Sequence, residues 1–214
     1  FSTPHFPSLM IQMAKPAYLA IVEYAKDRPV LCFVPSRKQC RLSASDILTY
    51  CLADQEENRF LNVEPEELAP HLERIEDLDL KETLANGIGF YHEALSAKDK
   101  KTVEHWFESG AIQVVVASKD TAWSIPLTAY MVIIMGVQTF EGSSWCSPSL
   151  TSRVLTNSVF STIGKEHRYI DYPFTDVLQM MGRACRPAYD ESSRCVLMCQ
   201  QVCYDMACSM RSRH

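Results

Sequence analysis

The 214-residue sequence has no run near the about 18 uninterrupted apolar residues that a bilayer-crossing helix needs, and no basic segment leading into an apolar one at its start. Neither a membrane anchor nor a secretory leader is expected. A surplus of basic charge is also missing, since 21 Lys and Arg stand against 26 Asp and Glu, a formal net charge of -5. Non-specific binding to phosphate chains depends on clustered cations, so a surface coated for nucleic acid is excluded and any such contact must be local. Tight Cys-x-x-Cys pairs are absent too. The nine cysteines (Cys32, Cys40, Cys51, Cys146, Cys185, Cys195, Cys199, Cys203 and Cys208) are odd in number, and several sit in apolar runs. Neither a disulfide framework nor a metal cluster is expected. The thiols read as small buried hydrophobes in a reducing cytosolic or nuclear setting.

What is present is an ordinary globular composition, 47% hydrophobic and 22% charged, which fits one domain over 1–214 with appended or inserted segments. Apolar spacing near 3.6 makes Ser8 to Ala25 an amphipathic helix that Pro16 should kink or divide. Continuous apolar runs at Val30–Val34, Gly87–Tyr91, Gln113–Ala117, Tyr130–Met135 and Arg194–Cys199 read as strands covered on both faces. Helices are expected over 38–53, over 96–109 behind the capping box Ser96-x-x-Asp99, over 174–184 behind Pro173, and over 202–210. Strands alternating with helices in this order imply a doubly wound α/β domain with a parallel sheet and helices on both faces.

Two stretches interrupt that alternation. Residues 54–86 form an acidic helical insertion with apolar spacing at Leu68, Leu72, Ile75 and Leu78, read as a solvated segment. Residues 138–168 are rich in Ser, Thr, Gly and Pro and read as a loop or hairpin insertion.

The most informative segment is Gln179-Met180-Met181-Gly182-Arg183-Ala184-Cys185-Arg186-Pro187. Two arginines three apart at a helix end present planar, always-charged forks suited to phosphate oxygens, and such a group can stabilise charge growing on a transferring phosphoryl. The basic turn Ser36-Arg37-Lys38 follows the first strand, where open α/β sheets bind ligands. Alone, an R-x-x-R pair is an ion-pairing face and Ser36 to Lys38 a solvated turn.

Taken together and in order, the motifs resemble the Ski-two-like group of superfamily 2 helicases. Residues 179–187 are similar to its QMxGRAGRP motif, with Cys185 at the second Gly. VLCFVPSRK over 30–38 resembles the group's motif IV, and GIGFYHEAL over 87–95 its GVxxHHAGL segment. ASKDTAWSIPLTA over 117–129 resembles its motif V, with Ser124 for Gly and Pro126 for Asn. Trp123 in that motif is read as core or interface packing. Further stretches, including LKETL over 80–84, GAIQVVVAS over 110–118 and YIDYPFTDVLQM over 169–180, narrow the likeness to the C-terminal cassette of the large two-cassette spliceosomal helicases.

The resemblance implies a RecA-like domain, the second of a cassette. Arg183 and Arg186 would serve catalysis, Gln179, Gly182, Arg183 and Arg186 would touch nucleotide, and Ser36, Arg37, Lys38, His92 and Ser118 would lie along the RNA. No GxxxxGK[ST] loop or DExH segment occurs, so ATP and Mg2+ would be held mainly by the first RecA-like domain of the same polypeptide, and this chain alone should not hydrolyse ATP. Nuclear location, small nuclear RNA and spliceosomal proteins as partners come with the family. So does an alternative, a degenerate cassette that serves as a protein-binding and regulatory platform. The expected geometry is one cleft wall, with both arginines beside the loops after the first and third strands.

Overall fold

The computed structural model describes residues 6–56, 58–141 and 168–199. Its centre is a five-stranded parallel sheet of β1 (Val30–Val34), β2 (Ile88–Tyr91), β3 (Val114–Ser118), β4 (Met131–Met135) and β7 (Arg194–Met198), ordered β2-β3-β1-β4-β7. Every residue of β1 to β4 is buried, as a strand sandwiched between helix layers requires. The helices are α1 (Phe6–Ala20), α2 (Arg37–Ala53), α3 (Pro65–Leu72), α4 (Leu78–Ala85), α5 (Ala97–Glu108) and α6 (Phe174–Met181).

Adjacent residues of β2 show that both faces are covered. A Cβ on Gly89 would lie 3.2 Å from Val103 of α5, whereas Phe90, facing the opposite way, lies under the Arg41 guanidinium of α2 at 5.8 Å. The expected doubly wound α/β architecture is therefore present. Buried Gln113 fixes the amino edge of the sheet by donating to the carbonyls of Lys26 and of Arg28, the latter at 3.1 Å. Gly87 supplies a backbone conformation that other residues would not take easily. Its φ is +82°, and a Cβ there would fall 2.1 Å from the carbonyl of Phe60.

Four readings change in detail. Pro16 is exposed and does not divide α1. The irregularity comes after it, where Ile21–Ala25 widens into a π turn. The 54–86 segment is helical but not peripheral throughout: Leu68, Ile75, Leu80 and Leu84 join the core, while Leu78 is 79% exposed. Asp77 starts a fresh helix there, its Oδ1 accepting from the backbone of Asp79 and Leu80, and this shifts the apolar phase by two residues. The capping box is half made, since Ser96 Oγ accepts from Asp99 N but the Asp99 carboxylate turns to Glu76 N. Among the thiols, Cys32, Cys40 and Cys51 are buried but Cys185 and Cys195 are exposed, the first in the irregular stretch after α6 and the second on an edge strand.

Strands β5 (Gln138–Glu141) and β6 (Arg168–Asp171) pair antiparallel and form the stem of the segment read as a hairpin insertion. Residues 142–167, the 202–210 helix, and Cys146, Cys203 and Cys208 lie outside the described residues.

Candidate functional site

The strand order puts a crevice at a defined place. From β1 the chain crosses to one side of the sheet to reach β2, and from β3 it crosses β1 to the other side to reach β4. Connections leaving adjacent strands in opposite directions part at their carboxyl ends, and ligands of open α/β sheets bind there. Val34 pairs with Ser118, so the turn after β1 and the start of the β3 connection face each other across this gap.

Ser36 N-caps α2, its Oγ accepting from Gln39 N at 3.3 Å, and Ser36, Arg37 and Lys38 are all exposed. The first amides of the helix and two cations thus meet solvent together, an arrangement suited to anions. His92 and Ser118 differ from this expectation of a surface strip. Ser118 is fully buried, and its hydroxyl donates to the exposed carboxylate of Glu93 at 3.1 Å. His92 is only 4% exposed and stacks on Phe90 at 5.6 Å between ring centres. Neither ring nitrogen of His92 has a hydrogen-bond partner, and burial holds the imidazole below its ordinary pKa, so the neutral form is favoured. Nothing in the isolated sequence marked Glu93. The signal was an acidic side chain where the resembling motif carries alanine.

The arginine pair lies elsewhere. Tyr172 N donates to Val137 O, just past the carboxyl end of β4, and Ala129 N donates to Arg183 O, just before its amino end. Helix α6 therefore runs back along the sheet, antiparallel to the strands. Its terminal residues Gln179 and Gly182, with Arg183, sit toward the amino edge and not beside the turn after β1. The expected single wall is corrected to two sites near opposite edges. The reason is topological, because a helix returning from the end of one parallel strand to the start of the next must end at the opposite edge.

Arg183 does meet the connection after β3, as expected. Its Nη2 donates to the carbonyl of fully buried Ala122 at 3.1 Å, while its Nε is buried without a partner. Arg186 lies over the Tyr189 ring at 4.7 Å and 3.7 Å from Asp190, whose side chain is 9% exposed. Asp190 also faces Arg28 at 3.5 Å, the residue leading into β1. Gly182 has an ordinary helical φ of -62°, and Cys185 is exposed, so its Sγ obstructs nothing within this chain. Gln179 is half-buried on α6. The loose ion pair of Arg186 leaves guanidinium donors for an external anion, whereas the unpartnered Nε of Arg183 is enclosed by the chain.

The motif V segment runs between the two sites with Ala122, Ile125, Leu127 and Ala129 buried and Ser124, Pro126 and Thr128 exposed. Trp123 is not core packing in this chain: it is 60% exposed, with its indole N–H donating to Asp176 at 3.0 Å. Among the described residues, no three His, Cys, Asp or Glu are grouped to hold a metal, and no helix is long and apolar enough to cross a membrane.

Comparison with known proteins bears on the same geometry. The chain is 46% identical over 200 residues, 94% of its length, to the U5 small nuclear ribonucleoprotein 200 kDa helicase of Homo sapiens, and 45% over the same share to that of Drosophila melanogaster. The DExH-box ATP-dependent RNA helicase DExH12 of Arabidopsis thaliana is 41% identical over 91% of the chain. The chain belongs to the Ski-two-like helicase family. It spans only 8% of the length of each of these relatives. No family model matches it. As a Ski-two-like helicase segment with a five-stranded parallel sheet, it has the RecA-like α/β fold.

Proposed function

We propose that this chain is the second RecA-like domain of a spliceosomal RNA helicase, from its C-terminal cassette, and works in the nucleus. In this reading Ser36, Arg37 and Lys38 at the crevice touch phosphates of small nuclear RNA, and Arg183 and Arg186 at the opposite edge complete a nucleotide site between domains. The first RecA-like domain of the same polypeptide would hold ATP and Mg2+, which supply the transferable phosphoryl group. Gln179, Gly182, Arg183 and Arg186 would face that nucleotide. Arg186 is the better candidate for stabilising charge on it, because the Arg183 guanidinium is already committed on one nitrogen to Ala122 O. The observation that carries the reading is the arginine pair of the QMMGRACRP segment retaining unspent donors within a chain so similar to DExH helicases.

A second reading, a degenerate cassette that binds and regulates protein partners, is favoured by the buried and committed Ser118 hydroxyl, by Cys185 in place of glycine, and by the exposed apolar group Phe174, Leu178 and Met181 on α6. RNA-stimulated ATP turnover of the full-length protein and its Arg186→Ala variant separates the two. An arginine that stabilises phosphoryl transfer is worth roughly a thousandfold or more in rate. The cassette's share of turnover should therefore vanish in the variant, and turnover identical to wild type would end the enzymatic reading.

A further inference from the structure

The crevice contains a group that no part of the phosphate-binding reading uses. Glu93 follows β2 at the carboxyl edge, with its backbone carbonyl accepting from Lys100 Nζ at 2.8 Å and its carboxylate accepting the Ser118 proton at 3.1 Å. Ser118 has no surface of its own, so the hydroxyl is reached only by displacing what lies on it. Beside it, His92 is more than nine-tenths buried with both ring nitrogens unpartnered, a costly state for a polar ring unless a ligand is sometimes supplied. Cations stand close by: Arg37 and Lys38 are exposed at the helix start, and Lys119 follows Ser118 directly.

From these observations we propose that Glu93 is a built-in competitor for RNA phosphate, its carboxylate occupying the Ser118 hydroxyl that a backbone phosphate would otherwise take. The inference rests on the RNA reading of this same crevice and adds what sets its affinity. A carboxylate and a phosphate cannot share one hydroxyl proton, and two anions a few ångströms apart repel. RNA entering along Ser36 to Lys38 must therefore push Glu93 aside before it reaches Ser118 and His92. In the resembling motif this position is an alanine, which carries no such penalty. Glu93 thus weakens RNA grip here while the scaffold stays intact.

The test uses full-length protein bearing Glu93→Gln, Glu93→Gln with Ser118→Ala, or Arg37→Ala with Lys38→Ala. Each is photocrosslinked to a 4-thiouridine-substituted single-stranded RNA. Yield is read on the tryptic peptides that carry Glu93 and Ser118. Glu93→Gln keeps shape and removes charge, so yield there should rise roughly 3- to 10-fold at low salt, with the gain shrinking as salt screens it. Adding Ser118→Ala should cancel most of the gain, because a neutral amide is the weaker acceptor and yields the hydroxyl to phosphate. Unchanged or reduced yield in Glu93→Gln, while the Arg37 and Lys38 variant loses crosslinking, overturns the role of Glu93 and leaves the RNA reading standing. Crosslinking indifferent to Arg37 and Lys38 overturns both.

Discussion

The two arginines of one short motif are expected to fail in different ways when removed. Arg183 Nη2 supplies a hydrogen bond to the Ala122 carbonyl, and Ala122 is fully buried. Truncating Arg183 to alanine leaves that carbonyl in the interior without a donor, a loss of about 2 kcal/mol for a bond from a charged group. The backbone bond from Ala129 N to Arg183 O survives the substitution, so the loss should not be larger. For a domain of about 200 residues this corresponds to a fall in Tm of about 4–8 °C. Arg186 is a different case. Its partner Asp190 keeps Arg28 as a second cation at 3.5 Å, so Arg186→Ala strands no buried charge, and a loose pair of this kind contributes under about 1 kcal/mol.

Urea denaturation of the full-length protein, followed by hydrogen exchange on peptides from β3, β4 and α6, would read both variants in the same region. Arg183→Ala should lose protection there at lower urea, and Arg186→Ala should track wild type while losing ATP turnover. If the two variants unfold together, or if Arg186→Ala is the less stable, the assignment of a structural share to Arg183 is wrong. The comparison also guards the turnover assay, since a rate lost only because the domain has opened would show in the same exchange data.

Gly87→Ala should be among the most destabilising single changes, by more than about 3 kcal/mol. Its Cβ would strike backbone atoms of Phe60 and Leu61 at 2.1 to 2.4 Å at a φ of +82°, and expression as soluble, cooperatively unfolding protein would contradict this. His92 should make stability depend on pH in a known direction. Its pKa is lowered by burial, so the unfolded chain takes up a proton near pH 6.5 before the folded one does. The stability it contributes is full above about 6.5 and is lost as pH falls from there through the folded value. Urea midpoints at pH 7.5 and 5.5 should differ less in His92→Phe than in wild type, and an unchanged difference would remove His92 as the cause.

Much of the scaffold could be read from residue order, for a physical reason. Val30–Val34 and Met131–Met135 are apolar at every position because parallel strands between helix layers have no solvent side, and that pattern needs no knowledge of partners. Ser96 was readable as a cap because capping is a contact over three residues. What escaped depended on distance along the chain. Spacing set Leu78 in series with Leu68, Leu72 and Ile75, but Asp77 restarts the helix and turns Leu80 inward instead. The Glu93 bond to Ser118 joins residues 25 apart, and the Arg183 bond to Ala122 residues 61 apart, so neither follows from composition or period. Residue types named the chemistry of the site, and only the strand order could divide it between two edges.

That division assigns a particular job to the segment between Ser118 and Tyr130. It starts at the crevice, where the Ser118 hydroxyl is held by Glu93 and its carbonyl accepts from Thr121 Oγ1 at 2.7 Å. It ends beside the arginine motif, touching Arg183 twice, through Ala122 O and Ala129 N. A loose loop between two sites would absorb any displacement. This one is fastened to the core at Ala122, Ile125, Leu127 and Ala129, and Pro126 fixes one of its φ angles. A fastened segment with a site at each end shifts as a piece or not at all, because packed interiors resist gradual deformation. Pro126, where the resembling motif has asparagine, offers no amide side chain and no backbone N–H, while its neighbours Ile125 and Leu127 keep the segment fastened to the core.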